Sequence, residues 1–161
     1  MCGFVGYVNK EPDKQENIKK MADLIAHRGP DSEGYYTDET IAMGFRRLSI
    51  IDLNNGSQPI YNEDKTKVII FNGEIYNYQE LREDLIQKGH NFSTNTDTEV
   101  LLHGYEEYAE GILDKLRGMF AFVIYDVNTK ETFAARDFYG IKPFYYAVMG
   151  DTYSVQRLKA F

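Results

Sequence analysis

The chain opens Met1-Cys2-Gly3-Phe4-Val5-Gly6-Tyr7-Val8, and the reading of those residues decides the fold. Residues 2–8 read as a buried strand, with Cys2 at its end. Cys2 is the only cysteine among 161 residues. Its side chain is small enough for an aminopeptidase to remove Met1, which leaves a cysteine with a free α-amino group. Such a residue carries its own nucleophile and base, a thiol of reference pKa ~8.5 and an amine of ~7.7–8.0. An amine largely unprotonated near neutral pH can take the thiol proton. A lone cysteine packed as a small apolar residue is the alternative, and the terminal position favours chemistry.

Outward from this strand, Ile18, Met21, Ala22 and Ile25 keep helical spacing, which predicts an amphipathic helix over roughly 14–26. Gly29-Pro30-Asp31-Ser32-Glu33-Gly34 reads as a loop of turn formers. Ile41, Met43 and Phe45 alternate in a strand that runs toward Arg46-Arg47. Val68-Ile69-Ile70-Phe71 predicts another strand, stopping at Asn72-Gly73. Asn77 with Glu80 has the pattern of a capping box for a helix over about 78–88, closed by Gly89, and Thr96 with Glu99 starts a further helix. Met119 to Tyr125 is apolar on both faces, as in a strand buried between two layers. A turn at Asn128-Thr129-Lys130 leads to Thr132–Ala135, and Phe144–Met149 with Thr152–Val155 predicts a last hairpin. The pattern is α+β, helices covering antiparallel sheets, in one domain over residues 1–161 without linker or repeat.

The length suffices for a core without staples. One cysteine excludes an internal disulfide and suits a reducing cytosol. The amino terminus lacks a basic n-region and a long apolar h-region, and no stretch approaches the ~20 apolar residues of a membrane span, so the expected location is cytoplasmic. A net charge of −7 argues against a nucleic-acid surface. Thirteen Tyr and ten Phe, without Trp, suit a β-rich core rather than a base-stacking platform, because no basic groove accompanies them.

Several blocks then follow in order. They are Cys2-Gly3-Phe4-Val5-Gly6, His27-Arg28-Gly29-Pro30-Asp31-Ser32-Glu33-Gly34, Arg47-Leu48-Ser49-Ile50-Ile51-Asp52 and Gln58-Pro59. Asn72-Gly73-Glu74-Ile75-Tyr76-Asn77, Thr96-Asp97-Thr98-Glu99, Leu116-Arg117-Gly118-Met119-Phe120-Ala121-Phe122 and Arg136-Asp137-Phe138-Tyr139-Gly140-Ile141-Lys142-Pro143 complete the set. Together they resemble the glutaminase domain of glutamine-hydrolysing asparagine synthetase, a class II glutamine amidotransferase. That resemblance implies an N-terminal nucleophile hydrolase fold, a four-layer sandwich with two antiparallel sheets packed between helices.

The resemblance implies roles residue by residue. Cys2 is the nucleophile. Arg47 resembles the clamp on the glutamine α-carboxylate, which a planar fork of donors can grip bidentately. Leu48, Ile50 and Ile51 beside it line the glutamine site. The Asn72 side-chain amide and the Gly73 backbone N–H form the oxyanion hole, although Asn-Gly alone reads equally as a turn. Glu74 and Asp97 approach the glutamine α-ammonium. Both also suit a helix start, and Asp97 is preferred over Glu74 as a ligand. His27 is not assigned as the base, because the terminal amine fills that role. His27-Arg28 instead organises its loop. His90 and His103 read as ordinary helix-associated residues, and no spacing suggests a metal. Residues 136–143 read as structural, with a contact surface for a neighbouring domain as a further reading.

The expected activity is hydrolysis of L-glutamine to glutamate and ammonia, the ammonia-supplying half-reaction of asparagine synthesis. The expected partner is an ammonia-accepting synthetase domain or chain. ATP and Mg²⁺ belong to that synthetase half, whose pyrophosphate loop is absent from this sequence. No cofactor is expected in this domain. The ending Ser154-Val155-Gln156-Arg157-Leu158-Lys159-Ala160-Phe161 departs from the family, where a Ser-Glu pair is expected. The rival readings are a different class II amidotransferase, feeding hexosamine or purine synthesis, and a non-catalytic domain that keeps the fold as a binding or regulatory module. His27-Arg28-Gly29-Pro30-Asp31 and Arg47-Leu48-Ser49-Ile50 favour the asparagine synthetase type.

Overall fold

Alternation along the strands builds two cores. The computed structural model describes residues 2–10, 12–48, 57–148 and 157–158, the last pair by backbone alone. One sheet holds β1 (Gly3–Val8), β2 (Ser32–Thr37) and β3 (Ile41–Arg47) in the order β1-β3-β2, antiparallel throughout. The other has the order β4-β5-β6-β7-β8, formed by β4 (Ile60–Tyr61), β5 (Lys67–Ile75), β6 (Gly118–Asp126), β7 (Thr132–Arg136) and β8 (Arg157–Leu158). It too is antiparallel except for the two-residue β8, which runs parallel to β7.

Successive side chains of a strand point to opposite faces. On β3, Ile41, Met43 and Phe45 therefore join Val68 and Ile70 of β5 and Tyr125 of β6 in one core between the sheets. The opposite face of β3 receives α1 (Lys14–Leu24), whose Ile18 and Ala22 pack on Gly44. On β5 the alternate residues Ile69, Phe71 and Ile75 face outward. They meet Leu81 and Leu85 of α2 (Tyr78–Gln87) and Val100, Leu101 and Leu102 of α3 (Asp97–Tyr108), with Ile112 of the short α4 (Ile112–Lys115). The order is helix, sheet, sheet, helices, the four layers the resemblance implies. Fully burying each of these Leu, Ile or Phe side chains contributes roughly 1.5–3 kcal/mol.

Several local expectations are corrected. The strand expected to stop at Asn72-Gly73 continues to Ile75, pairing residue by residue with β6 down to Gly118. Gly73 is small because of close approach, not a turn: a Cβ there would press into the Met119 carbonyl oxygen and lie 2.7 Å from Phe120 Cα. Ser32-Glu33-Gly34, read as loop, starts β2, and Gly34 is required because the Gln58 carbonyl crosses directly over it. The first helix ends at Leu24, and a 3₁₀ turn at Ala26–Arg28 follows. Asn77 stands at the start of α2 without capping it. Its side chain instead accepts from Arg117 N–H at 2.9 Å and donates to the Lys115 carbonyl at 2.9 Å. Thr96 does cap α3, accepting from Glu99 N–H at 3.3 Å. Glu99 reaches back past it to the Ser93 and Thr94 N–H groups, at 2.7 and 2.6 Å. Residues 144–148 form no strand, and the remainder of the expected last hairpin lies outside the described residues. The strand β4 and helix α4 are additions, too short for periodicity to announce.

Within residues 136–143 the structural part is the turn around Asp137, while Phe138, Tyr139 and Ile141 are exposed. The buried Asp137 carboxylate accepts from Phe120, Ile141 and Lys142 N–H groups at 3.1, 2.9 and 2.9 Å. Burial alone would raise its pKa, yet these donors hold it below the ordinary value.

Candidate active site

Register brings Cys2 to Arg47. Gly3 pairs with Arg46 across β1 and β3, so Cys2 stands one step beyond that pair, beside Arg47. The Cys2 Sγ accepts from Leu48 N–H at 3.4 Å and faces the Leu48 carbonyl at 3.7 Å. The thiol is half-buried and packs at the edge of the inter-sheet core. The two arginines separate by strand alternation. Arg46 turns to the helix side, where its Nε donates to the Ala22 carbonyl at 3.1 Å and its two terminal nitrogens pair with Glu33, at 2.6 Å, and Asp23. Arg47 takes the opposite parity, on the face shared with Cys2 and Phe45. Its backbone is braced by the segment just ahead of β2, since Asp31 N–H donates to the Arg47 carbonyl at 3.0 Å.

Sequence reasoning assigned the His27-Arg28 turn to loop organisation, and the structure specifies how. Arg28 Nε donates to the Cys2 carbonyl at 3.4 Å, fixing the backbone next to the nucleophile. A Cβ on Gly3 would lie 3.1 Å from the Arg28 side chain, so glycine lets that arginine pass. His27 is exposed on the same turn. Arg28 is the contact that sequence reasoning missed, and its place in the His27-to-Gly34 block was the available signal.

Across the space between the sheets, Asn72 shares the parity of Val68 and Ile70 and points to the same interior as Cys2. It is buried, and among the described residues its amide makes no hydrogen bond. Its cross-strand partner is the small Ala121, which leaves room beside the amide. The backbone donors of β5 alternate edge to edge. Phe71 N–H is taken by Gln58 Oε1 at 2.6 Å and Ile75 N–H by Asp97 Oδ2 at 2.9 Å. Between them, alternation turns the Gly73 N–H to the same edge of the strand. Asn72 and Gly73 thus offer an amide side chain and a backbone donor from adjacent residues of a strand locked on both sides.

Glu74 continues the inward parity of Asn72. Asp97, at the start of α3, is half-buried, and one of its oxygens holds β5 through Ile75. Burial raises its pKa most, and the charge of Glu74 adds to this against the N–H donors of Ile75 and Thr98. A cavity of about 370 Å³ lies at this end, lined by Gly3, Phe4, Ile25, Arg28, Asn72 and Phe144 among others. It brings the start of β1 and the amide of Asn72 to one space. Leu48 is in contact with Cys2, whereas Ile50 and Ile51 lie outside the described residues.

Comparison with known proteins agrees with this geometry. A family model described as a glutamine amidotransferase domain matches residues 1–159. The chain belongs to that family. The amidotransferase domain is 57% identical over 156 residues to asparagine synthetase [glutamine-hydrolyzing] 1 of Bacillus subtilis, covering 94% of this chain and 25% of that protein. It is 41% identical over 165 residues to asparagine synthetase B [glutamine-hydrolyzing] of Escherichia coli, covering 99% and 30%. The chain therefore spans about a quarter of the length of these relatives. Among solved structures it resembles glutamine phosphoribosylpyrophosphate amidotransferase of B. subtilis, with a TM-score of 0.73 and 22% identity over 94% of this chain and 40% of that one. That likeness establishes the fold, an N-terminal nucleophile type of sandwich. Among the described residues, no helix is long and apolar enough to cross a membrane.

Proposed function

We propose that this amidotransferase domain hydrolyses L-glutamine to glutamate and ammonia, and that the ammonia serves asparagine synthesis in a synthetase domain or chain. The observation that carries the reading is the convergence on the inter-sheet space. Cys2 and Arg47 come from one sheet, and the Asn72 amide, without a hydrogen-bond partner among the described residues, comes from the other. The similarity to glutamine-hydrolysing asparagine synthetases supports that acceptor over hexosamine or purine synthesis.

Removal of Met1 frees the Cys2 amine. That amine takes the thiol proton, and the sulfur attacks the side-chain amide carbon of glutamine. The oxyanion so formed is met by the Asn72 amide and the Gly73 N–H, donors held in place before the charge develops. The α-ammonium of Cys2 then protonates the departing nitrogen, and ammonia leaves a γ-glutamyl thioester. Water hydrolyses that thioester to glutamate, restoring the thiol. Arg47 grips the substrate α-carboxylate, with Leu48, Ile50 and Ile51 around it, and Asp97 with Glu74 complements the α-ammonium. Arg28 holds the Cys2 carbonyl, so the nucleophile does not swing as bonds change.

The chemistry uses protein groups and substrate only, and ATP and Mg²⁺ belong to the synthetase reaction. The cytoplasm, where glutamine and a reduced thiol coexist, is the proposed location. Purified chain incubated with glutamine should release ammonia and glutamate in equal amounts, and Cys2→Ala should release neither. Absence of release from a folded chain whose Met1 has been removed would overturn the proposal.

A further inference from the structure

His103, read from sequence as an ordinary helix-associated residue, is fully buried on α3. Its Nδ1 lies 2.7 Å from Glu106 Oε2 and 3.7 Å from Glu63 Oε2. Its Nε2 lies 3.7 Å from Glu99 Oε1 and is buried without a hydrogen-bond partner. A buried imidazole nitrogen left unsatisfied is costly and calls for an explanation. The other ring nitrogen, Nδ1, faces a cluster of ligand atoms. One ligand atom from each of Glu63, His90 and His103 lies within 4.8 Å of the others. These residues come from three segments, the β4–β5 connection, the α2–α3 connection and α3. They are held in register: Glu63 Oε1 accepts from Asn91 N–H at 3.1 Å, next to His90, and buried Asn62 donates to Glu106 at 2.6 Å. The two imidazoles stand 5.2 Å apart, centroid to centroid, with Phe92 packed edge-on against His103 at 4.7 Å.

We propose that Glu63, His90 and His103 form a binding site for a divalent transition metal, with Zn²⁺ as the fitting ion. His103 would ligate through Nδ1, the nitrogen facing Glu63, with Glu106 close enough to supply a fourth ligand. Ligation at Nδ1 leaves the hydrogen on Nε2, on the side of the Glu99 carboxylate 3.7 Å away. A carboxylate behind a ligating histidine is the common supporting arrangement for such metals. Imidazole and carboxylate donors suit Zn²⁺, whose ligand atoms sit roughly 3.3 Å apart around one tetrahedral ion. Closing the cluster from 4.8 Å to that spacing takes small shifts of the exposed Glu63 and the half-buried His90 toward His103. Charge favours a cation as well, since Glu63, Glu99 and Glu106 surround one imidazole. The site lies on the helix side of the larger sheet, the face opposite Asn72, so a structural role in clamping the two connections to α3 follows. It stands independently of the glutaminase reading.

The test uses untagged chain carrying Cys2→Ala, because a free thiolate would itself bind zinc. Zn²⁺ is titrated in competition with a chromophoric chelator, and thermal unfolding is followed with Zn²⁺ or Mg²⁺. The proposal expects one Zn²⁺ per chain and a melting temperature raised by Zn²⁺ but not by Mg²⁺. Glu63→Ala and His90→Ala, both outside the buried core, should each weaken binding at least tenfold while circular dichroism is unchanged. No competition with the chelator, or an affinity indifferent to both substitutions, would overturn it.

Discussion

Arg46 and Arg47 are adjacent and chemically identical, yet a strand sends them to opposite faces. Arg46 braces α1 through Asp23 and Glu33, and Arg47 faces the side of Cys2. Replacing Arg47 by lysine keeps the charge and loses the planar fork, so glutamine kcat/KM should fall at least tenfold, about 1.4 kcal/mol. An unchanged kcat/KM would remove Arg47 from the substrate clamp. Asn72 makes a different prediction. The oxyanion exists only along the reaction path, so Asn72→Ala should lower kcat by about 100- to 1,000-fold with little rise in KM. Steady-state kinetics that showed only a KM effect would recast Asn72 as a substrate-positioning residue. Asp97 secures β5 through Ile75, and the proposed reading adds a substrate ammonium to the same carboxylate.

At the scale of elements, long periodic segments were legible and backbone crossings were not. The alternation in β3, the apolar run of β6, the spacing in α1 and the Thr96–Glu99 start of α3 announced themselves, because burial and capping dictate those patterns. Asn72-Gly73 misled as a turn pair, since its glycine answers to β6 pressing against it, a long-range contact that local composition does not encode. Gly34 misled for the same reason, with Gln58 as the crossing chain. Gln58 itself holds β5 where β4 has ended, donating to the Phe71 carbonyl at 3.0 Å and accepting its N–H at 2.6 Å. The candidate site residues came from family resemblance, whereas the Arg28 contact with Cys2 required the fold. The close packing yields a stability prediction. Gly73→Ala forces a methyl against β6, and such overpacking costs about 1–3 kcal/mol. Urea unfolding should show a lower midpoint at constant m-value; an unchanged midpoint would mean the strands separate freely there.

Across the whole molecule, Asp38 ties one sheet to the other. It lies in the β2–β3 hairpin, accepts from Thr40 and Ile41 N–H groups at 2.7 and 2.9 Å, and reaches Tyr125 Oη on β6 at 2.7 Å and Lys130 Nζ at 3.1 Å. Burial works against its charge, but these donors prevail and lower its pKa below 3.8. The sign follows from linkage. A carboxylate with a depressed folded pKa contributes stability above its unfolded value, and loses it as pH falls through the folded value. Asp38→Asn should therefore be less stable than the parent near neutrality. The difference should shrink below about pH 4, as the parent carboxylate becomes protonated. A difference independent of pH in urea titrations would deny the charge its part in joining the sheets.

The central claim is that the Cys2 amine is the catalytic base, and the most direct measurement compares the chain with and without Met1. A residue in front of Cys2 turns the amine into an amide, which has essentially no basicity near neutral pH. It also adds bulk ahead of β1, next to the half-buried Cys2. Intact mass identifies each form, and ammonia release from glutamine is measured on both. The account predicts that the form retaining Met1 is folded and nearly inactive, and that removing Met1 switches glutaminase activity on. Comparable activity with Met1 still attached would contradict the terminal-amine mechanism and transfer the base to another residue.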